Sequence, residues 1–239
     1  NTTQMYYANA DSERRPVVAE FKSLQETAYN YIRNKVLTGQ LQPGVLYSET
    51  KAAAEINISR TPMKDALVRL SQDQLIDIIP SKGFRLHSMT PEDIWATYQA
   101  RTAVEGFCAL TLAQERNTAR GKAALRRMKQ SMEAMAEVGS CCDGCSEFLA
   151  CDMEFHRVLA EFPRNEELSS LFESLHHRVS LIAQGSLSQP GRLQEALREH
   201  WDIYNAIVDS GEGPQIQPYM AVLRHMEASR DIVLAHQGG

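Results

Sequence analysis

From Thr90 to the C-terminus the chain runs about 150 residues with apolar side chains at helical spacing and no strand-like alternation. A segment that offers only apolar helix stripes has to bury them helix against helix. Thr90-Pro91-Glu92-Asp93 reads as its start, with a capping Thr, Pro at the first helical position and acids in the first turn. Breaks fall near Asn117, Gly139–Gly144, Pro163–Asn165, Gly185–Gly191 and Gly211–Pro214. The spacing therefore predicts an all-α bundle of six or seven helices. No stretch approaches the ~18 uninterrupted apolar residues of a membrane span.

The N-terminal third is built differently. Leu24, Ala28, Ile32 and Val36 mark one helix, which Gly39 ends, and Pro43-Gly44 turns the chain. Ser48 caps a second helix, with Ala52, Ala53 and Ile56 inward and Thr50 and Lys51 at its front. Asn57 sits where a tight helix–helix turn needs a left-handed residue. Ser59 caps the third helix, whose Ala66, Leu67 and Leu70 face inward while Arg60, Thr61, Lys64 and Arg69 stay outside. The period then changes. Residues 75–79 and 84–86 read as two strands around a basic tip, Pro80-Ser81-Lys82-Gly83. Three helices and a β-hairpin form the winged helix-turn-helix pattern, which presents a cationic helix to the major groove. The alternative is a small helical domain with a solvated charged face. Charge leans the first way. Residues 14–87 carry 11 Lys/Arg against 7 Asp/Glu, a net of +4, inside a chain whose total is −5; residues 89–239 carry 14 against 21, a net of −7.

The stretch from Leu46 to Leu86, with Ser59-Arg60-Thr61-Pro62 followed by Ala66-Leu67-x-Arg69-Leu70, closely resembles the DNA-binding domain of GntR-family transcription regulators. The resemblance implies that Arg60 and Lys64 reach the operator, while Thr61 and the wing at Lys82 and Gly83 touch the DNA backbone or the minor groove. Two positions depart from the family pattern. Lys64 replaces a common Arg, giving a point charge in place of a bidentate fork, and Thr50, beside Lys51, replaces another.

Within the bundle lies a polar set that packing does not require. Asp152 and His156 are four residues apart on an otherwise apolar helix, so they project from one face about 40° apart. His200 and His225 lie in two later apolar-faced segments. One carboxylate and three imidazoles from three helices can converge on a divalent metal. Each histidine could equally be a satisfied core or surface residue.

Arg101-x-x-x-Glu105, Asp152-x-x-x-His156, Glu199-His200 and the late His225 are similar to the FCD effector domain of the FadR subfamily. That resemblance implies an antiparallel bundle in which Asp152, His156, His200 and His225 hold one divalent metal per chain. Zinc is the first expectation, with nickel and manganese as alternatives. It also implies a carboxylate-ligand cavity, where Arg101 would pair the effector's carboxylate; a surface ion pair with Glu105 is the other reading.

The expected organisation is a tail over 1–20, a winged helix-turn-helix over 21–88 and the helical effector and dimerisation domain over 89–239. The expected function is a ligand-responsive regulator, working as a homodimeric repressor on a palindromic double-stranded operator. A metal-dependent enzyme acting on a small organic acid is the alternative, although no positioned general base accompanies the metal set. Residues 1–11 lack the basic start and apolar run of a secretory signal, and five cysteines suit a reducing cytoplasm. Cys141, Cys142 and Cys145, with Cys151 nearby, form a thiol cluster that lacks the second pair a zinc site needs. His176 and His177 are expected at solvated positions, with entry of one of them into the cavity as the alternative, and Trp95 and Trp201 are expected as packing residues.

Overall fold

A computed structural model describes residues 23–139, 145–187, 189, 191–211 and 216–237. Three helices open it: α1 (Leu24–Leu37), α2 (Glu49–Glu55) and α3 (Arg60–Gln72). Ser23 caps α1 by accepting from the Glu26 amide at 3.1 Å. Ser48 caps α2 through the Lys51 amide, and Asn57 takes the left-handed conformation at φ 56° between α2 and α3. Ala28, Ile32, Val36, Met63, Ala66, Leu67 and Leu70 are buried together. Leu24 is not among them. As the first helical residue it lies beyond the core's reach and is 59% exposed, while Tyr29 is buried and donates its hydroxyl to Asp73 Oδ2 at 2.7 Å.

The wing is an antiparallel pair, β1 (Ile76–Ile79) and β2 (Gly83–Leu86), in the register Ile76 opposite Leu86. Tyr47 bridges to Phe84 through reciprocal backbone bonds of 2.7 and 2.9 Å, tying the wing to the start of α2. Gly83 makes this possible. Its φ is 128°, and a Cβ there would stand 2.0 Å from the Tyr47 carbonyl oxygen.

Six further helices among the described residues form the bundle: α4 (Pro91–Glu115), α5 (Ala119–Val138), α6 (Cys145–Glu161), α7 (Glu166–Leu187), α8 (Arg192–Val208) and α9 (Gln217–Gln237). A full capping box between Thr90 and Asp93 starts α4. A second apolar core runs through the bundle from Met89 to Val233. Gly106 lets α9 press on α4, since a Cβ at that position would meet the Tyr219 ring at 2.4 Å. Helices α4, α6, α7, α8 and α9 thereby surround one interior.

The two cores touch through α7. Arg178 donates Nε to the Asp73 carbonyl at 3.2 Å, just past the end of α3. A cleft of about 470 Å³ lies alongside, between Tyr29, Arg69 and Asp73 on one wall and Ser170, Phe172 and Glu173 on the other. At the junction, His87 stands 2.7 Å from Asp77 of β1 and 3.6 Å from the capping Asp93 of α4. Residues 1–20, Cys141 and Cys142 lie outside the described residues, as do the side chains of Cys145 and His177. Cys151 is half-buried on α6.

Candidate DNA-reading face and metal centre

The front of α2, the first turns of α3 and the wing enclose one groove of about 490 Å³. Thr50, Arg60, Lys64, Lys82 and Gly83 all line it. Pro62, in the first turn of α3, forgoes an amide that needs no helical partner there. Arg60 is held loosely, 71% exposed and 3.5 Å from Glu49, a surface pair worth little. Thr61 and Lys51 are exposed on the same two helices but outside the groove's lining. The wing's tip folds tightly, with the Lys82 amide donating to the Ile79 carbonyl at 3.0 Å and Ser81 at φ 61°.

The second constellation lies inside the bundle. His156 comes from α6, His200 from α8 and His225 from α9; all three are buried, with ligating nitrogens within 4.8 Å of one another. Each ring is oriented by its Nδ1. That of His156 meets Glu105 Oε2 at 2.5 Å, that of His200 the Ala196 carbonyl at 2.6 Å, and that of His225 Glu199 Oε2 at 2.7 Å. An oxygen that can only accept fixes the proton on Nδ1 and leaves Nε2 as a lone pair. His156 Nε2 and His200 Nε2 are 3.1 Å apart, with Asp152 Oδ1 at 3.1 Å from the latter and 3.8 Å from the former. Acceptors packed this closely repel one another unless a cation stands among them. Ligands at ~2.0–2.2 Å around a tetrahedral ion lie about 3.3–3.6 Å apart, so these residues fit a divalent metal.

Charge surrounds that centre in pairs. Burial alone would raise the Glu105 carboxyl, yet the Arg101 guanidinium at 2.7 Å and His156 hold it at about 2. Burial likewise opposes the ionisation of Asp152, whereas positive charge among the three imidazoles pulls its carboxyl well below the usual range. Glu199 follows the same logic: His225 and Arg192, whose Nη1 donates at 2.6 Å, overcome burial and hold it at about 2. Burial drives His225 down to about 4, despite its bond to Glu199.

Arg101 therefore pairs with Glu105, but the pair is fully buried and not on the surface, and Arg101 Nη2 has no partner. His176 corrects the expectation of a solvated position: it is 1% exposed, stacked on Phe172, and neither ring nitrogen is hydrogen-bonded. Burial, followed by Arg101, pushes it down to about 3. The orienting residues Glu105, Glu199 and Arg192 went unassigned in the sequence. One signal was available for the last two, since Arg192 precedes Glu199 by seven residues, two turns on one helix face. Trp201 packs on Tyr204, whereas Trp95 is exposed beneath the Arg230 guanidinium at 3.8 Å.

A winged helix-turn-helix joined to a helical bundle with a buried, charged interior is the architecture of a transcription regulator. Residues 24–86 match the family described as bacterial regulatory proteins of the gntR family, and residues 96–212 match the FCD domain. The Nta operon transcriptional regulator of Aminobacter aminovorans is 30% identical over 81% of this chain and 86% of its own. The uncharacterized regulator YdhC of Bacillus subtilis is 23% identical over 82% and 86%. In fold, the chain is similar to E. coli McbR/YncC and to a GntR regulator from Rhodococcus. The TM-scores are 0.70 and 0.69, at 17% and 19% identity, over 90% of this chain and 99% of each of theirs. The chain belongs to the GntR family of transcriptional regulators, with an FCD effector domain, and its relatives set aside the metal-dependent enzyme. No described helix is long and apolar enough to cross a membrane.

Proposed function

We propose that the protein is a homodimeric, metal-dependent repressor of the FadR subfamily that releases or engages its operator when a small carboxylate binds in the bundle. The observation that carries this is the convergence of Asp152, His156, His200 and His225, with every imidazole proton already committed. Zinc suits four N and O donors at these spacings, with nickel or manganese as substitutes. A metal bound there supplies a Lewis-acidic position for a carboxylate oxygen. Arg101, with one nitrogen unpartnered, neutralises the remaining charge.

At the other end, Arg60 and Lys64 read the major groove, while Thr50, Lys51, Thr61, Lys82 and Gly83 position the duplex through its backbone or minor groove. A palindromic site requires two reading heads. The exposed face of α4 suits self-association: Gln99, Ala103, Phe107 and Gln114 line it without a charge, and Phe107 is 52% exposed. An uncharged ridge meets its own copy with no like-charge penalty.

Effector binding alters DNA affinity only through a difference between two arrangements. The movable contacts are the Arg178–Asp73 bond from α7 and the His87 junction before α4. A thermal-shift screen of small carboxylic acids, with and without zinc, joined to operator binding by fluorescence anisotropy, tests the reading. Acids that stabilise the protein only with metal and change its DNA affinity support it. Stabilisation indifferent to metal removes the centre from the mechanism.

A further inference from the structure

Helix α5 begins against its own dipole. Residues 119–130 hold Arg120, Lys122, Arg126, Arg127 and Lys129 and no acid, although the positive end of a helix favours carboxylates over cations. The excess lies in a domain whose net charge is −7. Two of the five cations are neutralised, Arg120 by Glu115 at 2.6 Å and Arg127 by Glu154 at 2.7 Å. The other three, Lys122, Arg126 and Lys129, form a stripe at i, i+4 and i+7 on another flank of the helix. Lys122 and Arg126 are exposed and make no ion pair among the described residues. Lys129 has only an exposed one, 3.8 Å from Glu133.

This stripe lines a shallow groove of about 330 Å³ between α5 and α8, and Arg116 joins it from the end of α4. Arg116 donates to the Ala113 carbonyl at 2.7 Å and to the Gly211 carbonyl at 3.3 Å. Those bonds hold the guanidinium in place and leave its charge without a carboxylate partner among the described residues. Leu125, Tyr204 and Val208 supply the apolar side of the groove, and Val208 is 39% exposed. No acid lines it among the described residues.

Charge and position choose the occupant. Four cations with no acid between them call for an anionic partner. A nucleic-acid backbone or a small anion would cover the cations and leave the apolar side chains wet. A helix with carboxylates at the same i, i+4 and i+7 spacing, and an apolar residue among them, covers both. Arg116 also lies one full α4 away from the wing, about 37 Å along a helix of 25 residues. A partner seated there leaves the groove of α2, α3 and the wing clear.

We infer that the α5–α8 groove docks an acidic amphipathic helix of a partner protein. Its carboxylates pair with Lys122, Arg126, Lys129 and Arg116, and its apolar side chain covers Leu125, Tyr204 and Val208. None of these residues belongs to the histidine centre, so the surface acts independently of effector sensing.

The test uses the full chain and a fluorescein-labelled, Ala-rich helical peptide with Glu at i, i+4 and i+7 and Leu at i+3. The same peptide with Gln for Glu, and a third with Lys for Glu, are the controls. By fluorescence anisotropy the Glu peptide is expected to bind at least about tenfold tighter than the Gln peptide, and to weaken as salt rises. Lys122→Glu combined with Arg126→Glu should remove that preference and accept the Lys peptide instead. The variant should fold, because Lys122→Glu places an acid in the first turn of α5, where the dipole favours it. Val208→Ser should weaken the Glu peptide about two- to fivefold, equally at low and high salt. Affinity for duplex DNA should stay level in both variants. A Glu peptide that fails to bind, binds no better than the Gln peptide, or binds the charge-reversed variant equally well overturns the inference. So does a charge-reversed variant that loses affinity for duplex DNA, which would assign the groove to nucleic acid.

Discussion

The reading head and the bundle bury different chemistry. Every buried residue of the core between Ala28 and Phe84 is hydrophobic, whereas all eleven buried polar or charged residues among those described lie at Thr97 or later. A DNA-binding surface works through exposed cations, which leaves its interior free to be apolar. A sensor that takes its ligand inside must keep donors, acceptors and charges in its core, and each one left unmet costs about 1–3 kcal/mol of stability. On the proposed function the bundle gives up stability for a binding site, and the head does not. Changes to interior residues should therefore alter the bundle's binding properties while the head continues to bind DNA.

The largest effect expected is that of His200→Ala, which removes an imidazole with contacts to both His156 and Asp152. Loss of an orienting partner alone costs roughly 10–100-fold in metal affinity, so loss of a ligand should cost at least about 100-fold. DNA binding without effector should stay within about twofold. Elemental analysis and anisotropy on one preparation read both numbers, and full metal occupancy in the variant would break the comparison.

Acid should separate the halves next. His176 has a folded pKa near 3 and His225 near 4, each driven down mainly by burial, against an ordinary 6.5. Below pH 6.5 the unfolded chain takes up protons that the folded bundle refuses. The stability these groups contribute is thus complete above 6.5 and lost as pH falls, at up to about 1.4 kcal/mol per group for each pH unit. The head's depressed carboxyls, Asp77 and Glu55, give up stability only below their ordinary values near 4. Between pH 6.5 and 4.5, hydrogen exchange on metal-free protein should accelerate in α7 and α9 and stay level in α1 and α3. His176→Phe should remove about half of that slope; equal acceleration in both halves would refute the account.

The same contrast governs what was legible in the sequence. The fold of the head could be read almost entire, because its helices, caps and hairpin follow from local spacing, and its proposed DNA contacts are exposed where charge and motif point to them. Asn57 and the Thr90–Asp93 box behave as local chemistry dictates. Leu24 failed for a local reason too, since periodicity cannot say where a core ends. In the bundle, helix number and the Asp152–His156 pair were legible, because both are patterns along one helix. Glu105, Glu199 and His176 act across helices. Only packing reveals that His176 points inward and that the Arg101–Glu105 pair is buried. Gly83 hid a different role: the backbone approach of Tyr47 that it permits has no trace in local pattern.

On the head itself, Lys64→Ala should weaken operator binding by about 1–3 kcal/mol and relax base discrimination at one position per half-site. Lys64 lines the groove beside Arg60. Its point charge reads less sharply than a guanidinium fork, so Lys64→Arg should sharpen discrimination on sites with guanine there. Zinc and effector binding should not move. Competition assays against operators varied one base pair at a time decide it, and uniform weakening would reassign Lys64 to the phosphates.

Lys82→Ala should have the smallest effect and the most even one. The residue sits on a tip held by the Ser81 and Gly83 backbones and by the Ile79–Lys82 bond. It is thus a charge at a fixed place, with an exposed side chain and no shape to match to a base edge. A contact of that kind works by releasing a counterion. Its loss should lower the slope of log K against log salt by about one and weaken operator and random duplex alike. Gly83→Ala acts on the same tip by another route: it displaces the wing from Tyr47 and should cost affinity without a clean change of slope. If Lys82→Ala weakens the operator alone, the wing reads sequence, and the division of labour between α3 and the hairpin has to be redrawn.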